Sequence, residues 1–222
     1  MSNRRELILN TARRLFWERG YDGVSMRDIA KELDFSVGNV TYYFKKKEDL
    51  MEASVLEQSK SYHLPATPAS LAELNHLFWY ICQGILERLY YFHHYDQMGQ
   101  ISRRVHELQQ AFTKDLYLTL TGAFENLQES GDMEQDFYPG QNEYFVQGVM
   151  TAMTYGLPQS LRLDEDGRDE AMEFMMCIWS LVYPRLTEKG RNTFHTKIYK
   201  KKAQKDSSSA VKADGGGYAA QL

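Results

Sequence analysis

The sequence predicts an all-α chain: an N-terminal three-helix head with a helix-turn-helix, a fourth connecting helix, and a larger C-terminal helical domain. Three observations carry this. Apolar residues recur at i, i+3, i+4 and i+7 along most of the chain. Serine caps and Gly or Pro residues punctuate those stretches where helices should start and stop. No strand-like alternation of any length competes with them.

From Glu6 to Gly20, the residues Ile8, Ala12, Leu15 and Phe16 form one apolar stripe, and Gly20 is a natural helix stop. Ser25-Met26-Arg27-Asp28 reads as a capping box, followed by Met26, Ile29, Ala30 and Leu33 at helical spacing. Ser36 is an N-cap for a third helix, with Val37, Val40 and Phe44 expected to face inward and Gly38, Asn39 and Tyr42 outward. Glu48-Asp49-Leu50 opens the connecting helix, expected to run over residues 48–64 and to end at Pro65 and Pro68. Beyond it, helices are expected at about residues 71–92, 96–105, 107–130, 141–161 and 168–188. Gly131-Asp132, Pro139-Gly140 and Asp164-Glu165-Asp166-Gly167 separate the later ones. The domains so read are a head over 1–47, a body over 48–188, and a basic, disordered tail over 189–222 that ends in a Ser/Gly/Ala-rich stretch.

Charge is divided along the chain. Residues 1–47 hold 10 Lys/Arg against 6 Asp/Glu, residues 48–184 hold 7 against 21, and residues 185–205 hold 8 against 1. A basic head on an acidic body docks on a polyanion by one face, with the body held off. No apolar run approaches the roughly 20 residues that span a bilayer, and Met1-Ser2-Asn3-Arg4-Arg5 does not open an export signal, so a cytoplasmic protein with no membrane partner is expected. Cys82 and Cys177 lie far apart without metal-ligand spacing and read as buried thiols.

The run from Met26 to Leu50 carries the functional signal. A helix reads base edges in a major groove about 12 Å wide only if its outward residues are small or polar and its inward ones anchor it. In the third helix Gly38 permits close approach, Asn39 and Thr41 offer hydrogen bonds, and Tyr42 reaches a phosphate or a thymine methyl. Lys45 and Lys47 flank it with positive charge, and the next helix N-terminus donates backbone N–H groups to a phosphate. Arg4, Arg5 and Arg27 read equally well as phosphate contacts or as solvated charges.

These residues resemble the DNA-binding head of the tetracycline-repressor (TetR) family. The resemblance covers about residues 5–52: Ala12-Arg13-Arg14-Leu15-Phe16, Arg19-Gly20-Tyr21, Asp28-Ile29-Ala30, Ser36-Val37-Gly38-Asn39, Tyr43-Phe44-Lys45 and Lys47-Glu48-Asp49-Leu50. It implies a three-helix head, a connecting helix, a helical ligand or dimer domain, and repression relieved by an effector. With it, Arg27, Ser36, Val37, Gly38, Asn39, Thr41, Tyr42, Lys45 and Lys47 are the expected DNA-facing set. Thr41 stands where the family usually carries a DNA-contacting Tyr, and Asp34 where its inter-helix turn usually has Gly.

A small head specifies a long palindromic operator by two-fold pairing, so a homodimer on double-stranded DNA is expected. For the dimer surface, Gly148, Ala152 and Gly156 recur every four residues beside Phe145 and Val149, and Met175, Ile178 and Trp179 lie on a helix apolar nearly all round. Intramolecular core is the competing reading of both helices. For an effector, the aromatic stretch from His76 to Met98 offers Trp79, Tyr80, Tyr91, His94, Tyr95 and Met98 as walls for a small hydrophobic or aromatic molecule, again with ordinary core as the alternative. His93 and His94 diverge by about 100° on a helix, so no metal site is expected. No phosphate loop, dinucleotide fingerprint, nucleophile elbow or Glu-x-x-His pair is present, which argues against an enzyme and a cofactor. The remaining alternative is a DNA-binding regulator or architectural protein with no small-molecule ligand.

Overall fold

The computed structural model describes residues 2–60, 63–156 and 170–199. The described residues are mostly helical; the rest are turns, short irregular stretches such as residues 63–68, and one isolated antiparallel bridge between Met133 and Leu186. No helix among them is long and apolar enough to cross a membrane.

Four helices build the head: α1 (Ser2–Arg19), α2 (Met26–Glu32), α3 (Val37–Tyr43) and α4 (Lys47–Ser59). The α1 stripe of Ile8, Ala12, Leu15 and Phe16 is fully buried, and a side chain such as Phe16 stabilises the core by roughly 1.5–3 kcal/mol. It meets Ile29, Ala30, Val40, Leu50 and Met51 from the other three helices. Gly20 adopts a left-handed φ of 73° where α1 ends, and Asp34 one of 53° between α2 and α3. Asp tolerates that conformation better than most residues, so the tight turn survives without glycine. Ser25 and Asp28 form the expected reciprocal capping box, and Ser36 accepts from the Asn39 amide.

The body comprises α5 (Leu71–Leu86), α6 (Leu89–Phe92), α7 (Tyr95–Ile101), α8 (Arg103–Glu129), α9 (Gln141–Thr151), α10 (Glu170–Val182) and α11 (Glu188–Phe194). α9 widens into a π-turn at Ala152–Gly156. The expected 71–92 helix is broken at Glu87-Arg88, because its two ends serve different cores. Leu77, Phe78, Ile81 and Ile85 bury themselves in the body, whereas Tyr91 joins the head. The α7–α8 boundary falls at Ser102 rather than near residue 106, since the Ser102 hydroxyl caps the Val105 amide.

Residues 189–199, expected in a disordered tail, instead fold onto the body. Phe194 and Ile198 are buried in its core, Thr187 caps α11, and Gly190 lies directly against the Asp132 carbonyl. The rest of the expected tail, the 157–161 end of one expected helix, the 168–169 start of the next, and the acidic turn between them lie outside the described residues.

Head and body share packing. The core of the head continues into Tyr91, Met98 and Val105, and Glu52 of α4 accepts hydrogen bonds from Ser102 (2.7 Å) and Arg104 (3.2 Å).

Candidate nucleic-acid interface and sensing cavity

On α3, Val40 is wholly buried while Gly38 and Asn39 are exposed and Tyr42 is 81 % exposed. Val37, expected to face inward, is 39 % exposed. Ser36 is held in its capping bond. The helix thus presents a continuous outward surface of Val37, Gly38, Asn39 and Tyr42 on an anchored base. A Cβ on Gly38 would meet only the Ser36 hydroxyl, at 3.7 Å, so packing within the chain does not demand a glycine there. Thr41 is half-buried and donates its hydroxyl to the Val37 and Gly38 carbonyls, at 3.1 and 3.3 Å. Its hydrogen-bond donor is therefore directed at its own helix.

The three consecutive lysines diverge. Lys45 and Lys46 are exposed, whereas Lys47 turns inward, donating to the Tyr21 carbonyl at 3.0 Å with its ammonium 4.1 Å from the Tyr21 ring centre. Burial first, then the Glu48 and Asp22 carboxylates, push the Tyr21 hydroxyl up to about 12, so it stays protonated beside Lys47. Lys46, which precedes α4, was missing from the sequence-based set because a Lys-Lys-Lys run does not reveal which members turn outward. Arg27 is exposed on α2. Arg4 lies 6.0 Å from the Phe35 ring, and Arg5 pairs with Glu57 and sits over Phe44, so Arg5 belongs to the head's own packing.

The far end of α4 borders a cavity of about 550 Å³, within the range of small-molecule sites. Val55 and Gln58 of α4 form one wall, Tyr91 and Phe92 a second, and Leu108 and Phe112 of α8 a third. Arg88 and Asp115 add one charge of each sign. Of the aromatic candidates, Tyr91 and Tyr95 line this cavity. Trp79 and Tyr80 pack against the body core, Met98 is buried in the head-proximal core, and His94 contacts the Tyr21 ring at 6.4 Å between centres. Gln58, Arg88 and Phe112 escaped sequence reading because the cavity is assembled from three distant segments. No local spacing marks them.

The candidate dimer residues also divide. Gly148 is exposed, and a Cβ there would meet nothing within 4 Å. Phe145 and Ala152 are half-buried, with Phe145 between Phe124 and the Arg185 guanidinium. Gly156 faces the Phe174 ring. Val149, Met175, Ile178 and Trp179 are buried inside the single chain, where Trp179 donates to Asn75 at 2.9 Å. Their burial makes them part of the core of the single chain.

Comparison with known proteins agrees with this geometry. Residues 8–54 match the family model described as bacterial regulatory proteins, tetR family. Bacillus subtilis YttP, a probable HTH-type transcriptional regulator, is 26 % identical over 162 residues, covering 70 % of this chain and 78 % of YttP. Among solved structures, a TetR-family transcriptional regulator from Marinobacter aquaeolei superposes with a TM-score of 0.71 at 20 % identity, over 85 % of this chain and 93 % of that one. A regulator from Saccharomonospora viridis, solved in complex with choline, gives 0.62 at 17 % identity, over 85 % and 100 %. With its capped third helix and the match over residues 8–54, the head of this chain is that of the bacterial regulatory proteins of the tetR family, and the relatives that the chain resembles over most of its length are helix-turn-helix transcriptional regulators.

Proposed function

We propose that this regulator is a cytoplasmic homodimeric repressor that binds a palindromic operator and is released by a small apolar or aromatic effector. One observation carries the reading: α4 begins beside the recognition helix and ends as a wall of the 550 Å³ cavity. Thirteen helical residues span about 20 Å, so the reader and the cavity are joined by one rigid element. Glu57 of α4 accepts from Arg5 at 2.7 Å and from Arg13 at 3.1 Å, tying α1 to it. Head and α4 therefore move together. An effector that favours a different α4 position alters the spacing of two recognition helices that must enter successive grooves about 34 Å apart. It must bind the DNA-incompetent arrangement better, and operator and effector then weaken each other by the same factor.

In the reader, Arg27, Val37, Gly38, Asn39 and Tyr42 face the duplex and Lys45 and Lys46 hold phosphates, while Ser36 and Thr41 shape the helix. Gly148 and Leu181, both exposed, on α9 and α10, form the surface where the second copy docks. The choline held by the Saccharomonospora viridis neighbour supports a small molecule as the kind of partner.

The test pairs DNA from around the gene with a thermal-shift screen of apolar metabolites, since a ligand that binds only the folded state raises Tm by mass action. A compound that raises Tm and also releases the DNA supports the proposal. DNA binding that no compound in the screen relieves would favour a regulator without a ligand.

A further inference from the structure

An open groove of about 1230 Å³ lies between α7, α8 and α9, next to the apolar cavity but different in chemistry. Its walls offer the side-chain amides of Gln110 and Gln147 and the rings of Tyr117 and Tyr155, while the Thr151 hydroxyl, which donates to the Gln147 carbonyl at 2.9 Å, and the Thr113 hydroxyl, which is bonded to the Tyr95 side chain, keep acceptor capacity. An amide or a hydroxyl both donates and accepts, so such a lining matches a solute that alternates donors and acceptors around itself. The lining holds one carboxylate, Asp96, and one ammonium, Lys114, and Asp96 already accepts from the Tyr155 hydroxyl at 2.9 Å. Ring faces beside polar tips suit a molecule with apolar C–H faces and a hydroxylated rim. We propose that this groove is a second small-molecule site, which takes a neutral polyhydroxylated ligand of the saccharide class.

The site is joined to the apolar cavity through a shared wall, because Tyr95 and Gln109 line both. Tyr95 stacks on Phe92 at 5.7 Å on the cavity side and stands edge-on to Tyr155 at 6.4 Å on the groove side. Gln109, itself buried, donates to the Tyr95 carbonyl at 2.7 Å and lies against Gly99, whose missing side chain permits the contact. α7 is thereby fastened to α8. A ligand that fixes Tyr95 from the groove changes the wall seen from the cavity, so the two ligands alter each other's affinity by an equal factor.

The experiment uses the full chain, with maltose and methyl β-D-glucopyranoside as groove ligands and anilinonaphthalene sulfonate as a separate reporter of the apolar cavity. Saturation-transfer NMR should show both sugars in contact with the wild-type protein at millimolar concentration. The double variant Gln110→Ala, Gln147→Ala changes exposed residues. It should keep its ligand-free Tm and its dye binding, while sugar affinity falls at least about tenfold for two lost hydrogen bonds. Absence of saturation transfer to both sugars, or undiminished transfer in the double variant, overturns the proposal. Conversion of the double variant to a monomer in sedimentation also overturns it, by making the groove an interface between copies. Dye binding that persists in any of these cases leaves the effector-cavity reading standing on its own.

Discussion

The Lys47 ammonium is bonded to the Tyr21 carbonyl and packed on the Tyr21 ring, which ties the start of α4 to the turn after α1. A lysine that the sequence placed among the phosphate contacts is thus part of the head's internal fastening. Its neighbours Lys45 and Lys46 carry the exposed charge.

Lys47→Ala should therefore lower the stability of the head by about 1–2 kcal/mol, from one hydrogen bond and one cation–π contact, measured by urea denaturation. The slope of log affinity against log salt should stay unchanged. Lys45→Ala or Lys46→Ala should instead flatten that slope by about one unit with little effect on stability. A flattened slope in the Lys47 variant would return that residue to the DNA-facing set.

Acid should loosen α4 from α1. The hydrogen bond from Arg5, with the charges of Arg13 and Arg5, outweighs burial and holds the Glu57 carboxyl below its ordinary value of 4.5. A lowered folded pKa contributes stability that is complete above the unfolded value and lost as pH falls through the folded one. Wild type should accordingly exceed Glu57→Gln in urea midpoint at neutral pH, and the two should converge in acid below pH 4.5. A difference independent of pH would mean that packing, not charge, links the two helices.

Two glycines separate the folding of the chain from the proposed dimer. Gly148→Trp projects from α9 into open space, so on the proposed dimer the variant should stay folded yet sediment as a monomer. In Gly190→Ala the added Cβ would strike the Asp132 backbone carbonyl. That overpacking should cost about 1–3 kcal/mol and lower Tm by several degrees without changing the association constant. A dimeric Gly148→Trp variant would move the interface off α9.

Effector response should follow the cavity walls rather than aromatic content. Ala111→Phe adds a ring from an exposed α8 position that lines the cavity. It should keep operator affinity within about threefold, under 1 kcal/mol, while abolishing the thermal shift given by an apolar ligand. Trp79→Ala, outside both cavities, should leave that ligand shift intact. Tyr91→Ala should cost about 3 kcal/mol of stability, because Tyr91 is part of the head-proximal core as well as the cavity wall.

The sequence by itself determined the head, and the reason is locality. The apolar stripe of α1, the Ser25–Asp28 capping box, the Ser36 cap and the Asp34 turn each act within one or two turns of helix, and all formed where their spacing placed them. Only the tertiary structure decided which way Lys47 points, because its partner is Tyr21, on the opposite side of two intervening helices in sequence. It also decided that the 71–92 stretch breaks to feed two cores, and that Phe194 and Ile198 draw a basic segment onto the body. The apolar cavity belongs to the same class. Val55, Tyr91 and Phe112 become neighbours only when three helices close on one another, and burial of that kind depends on long-range packing that no window of adjacent residues contains.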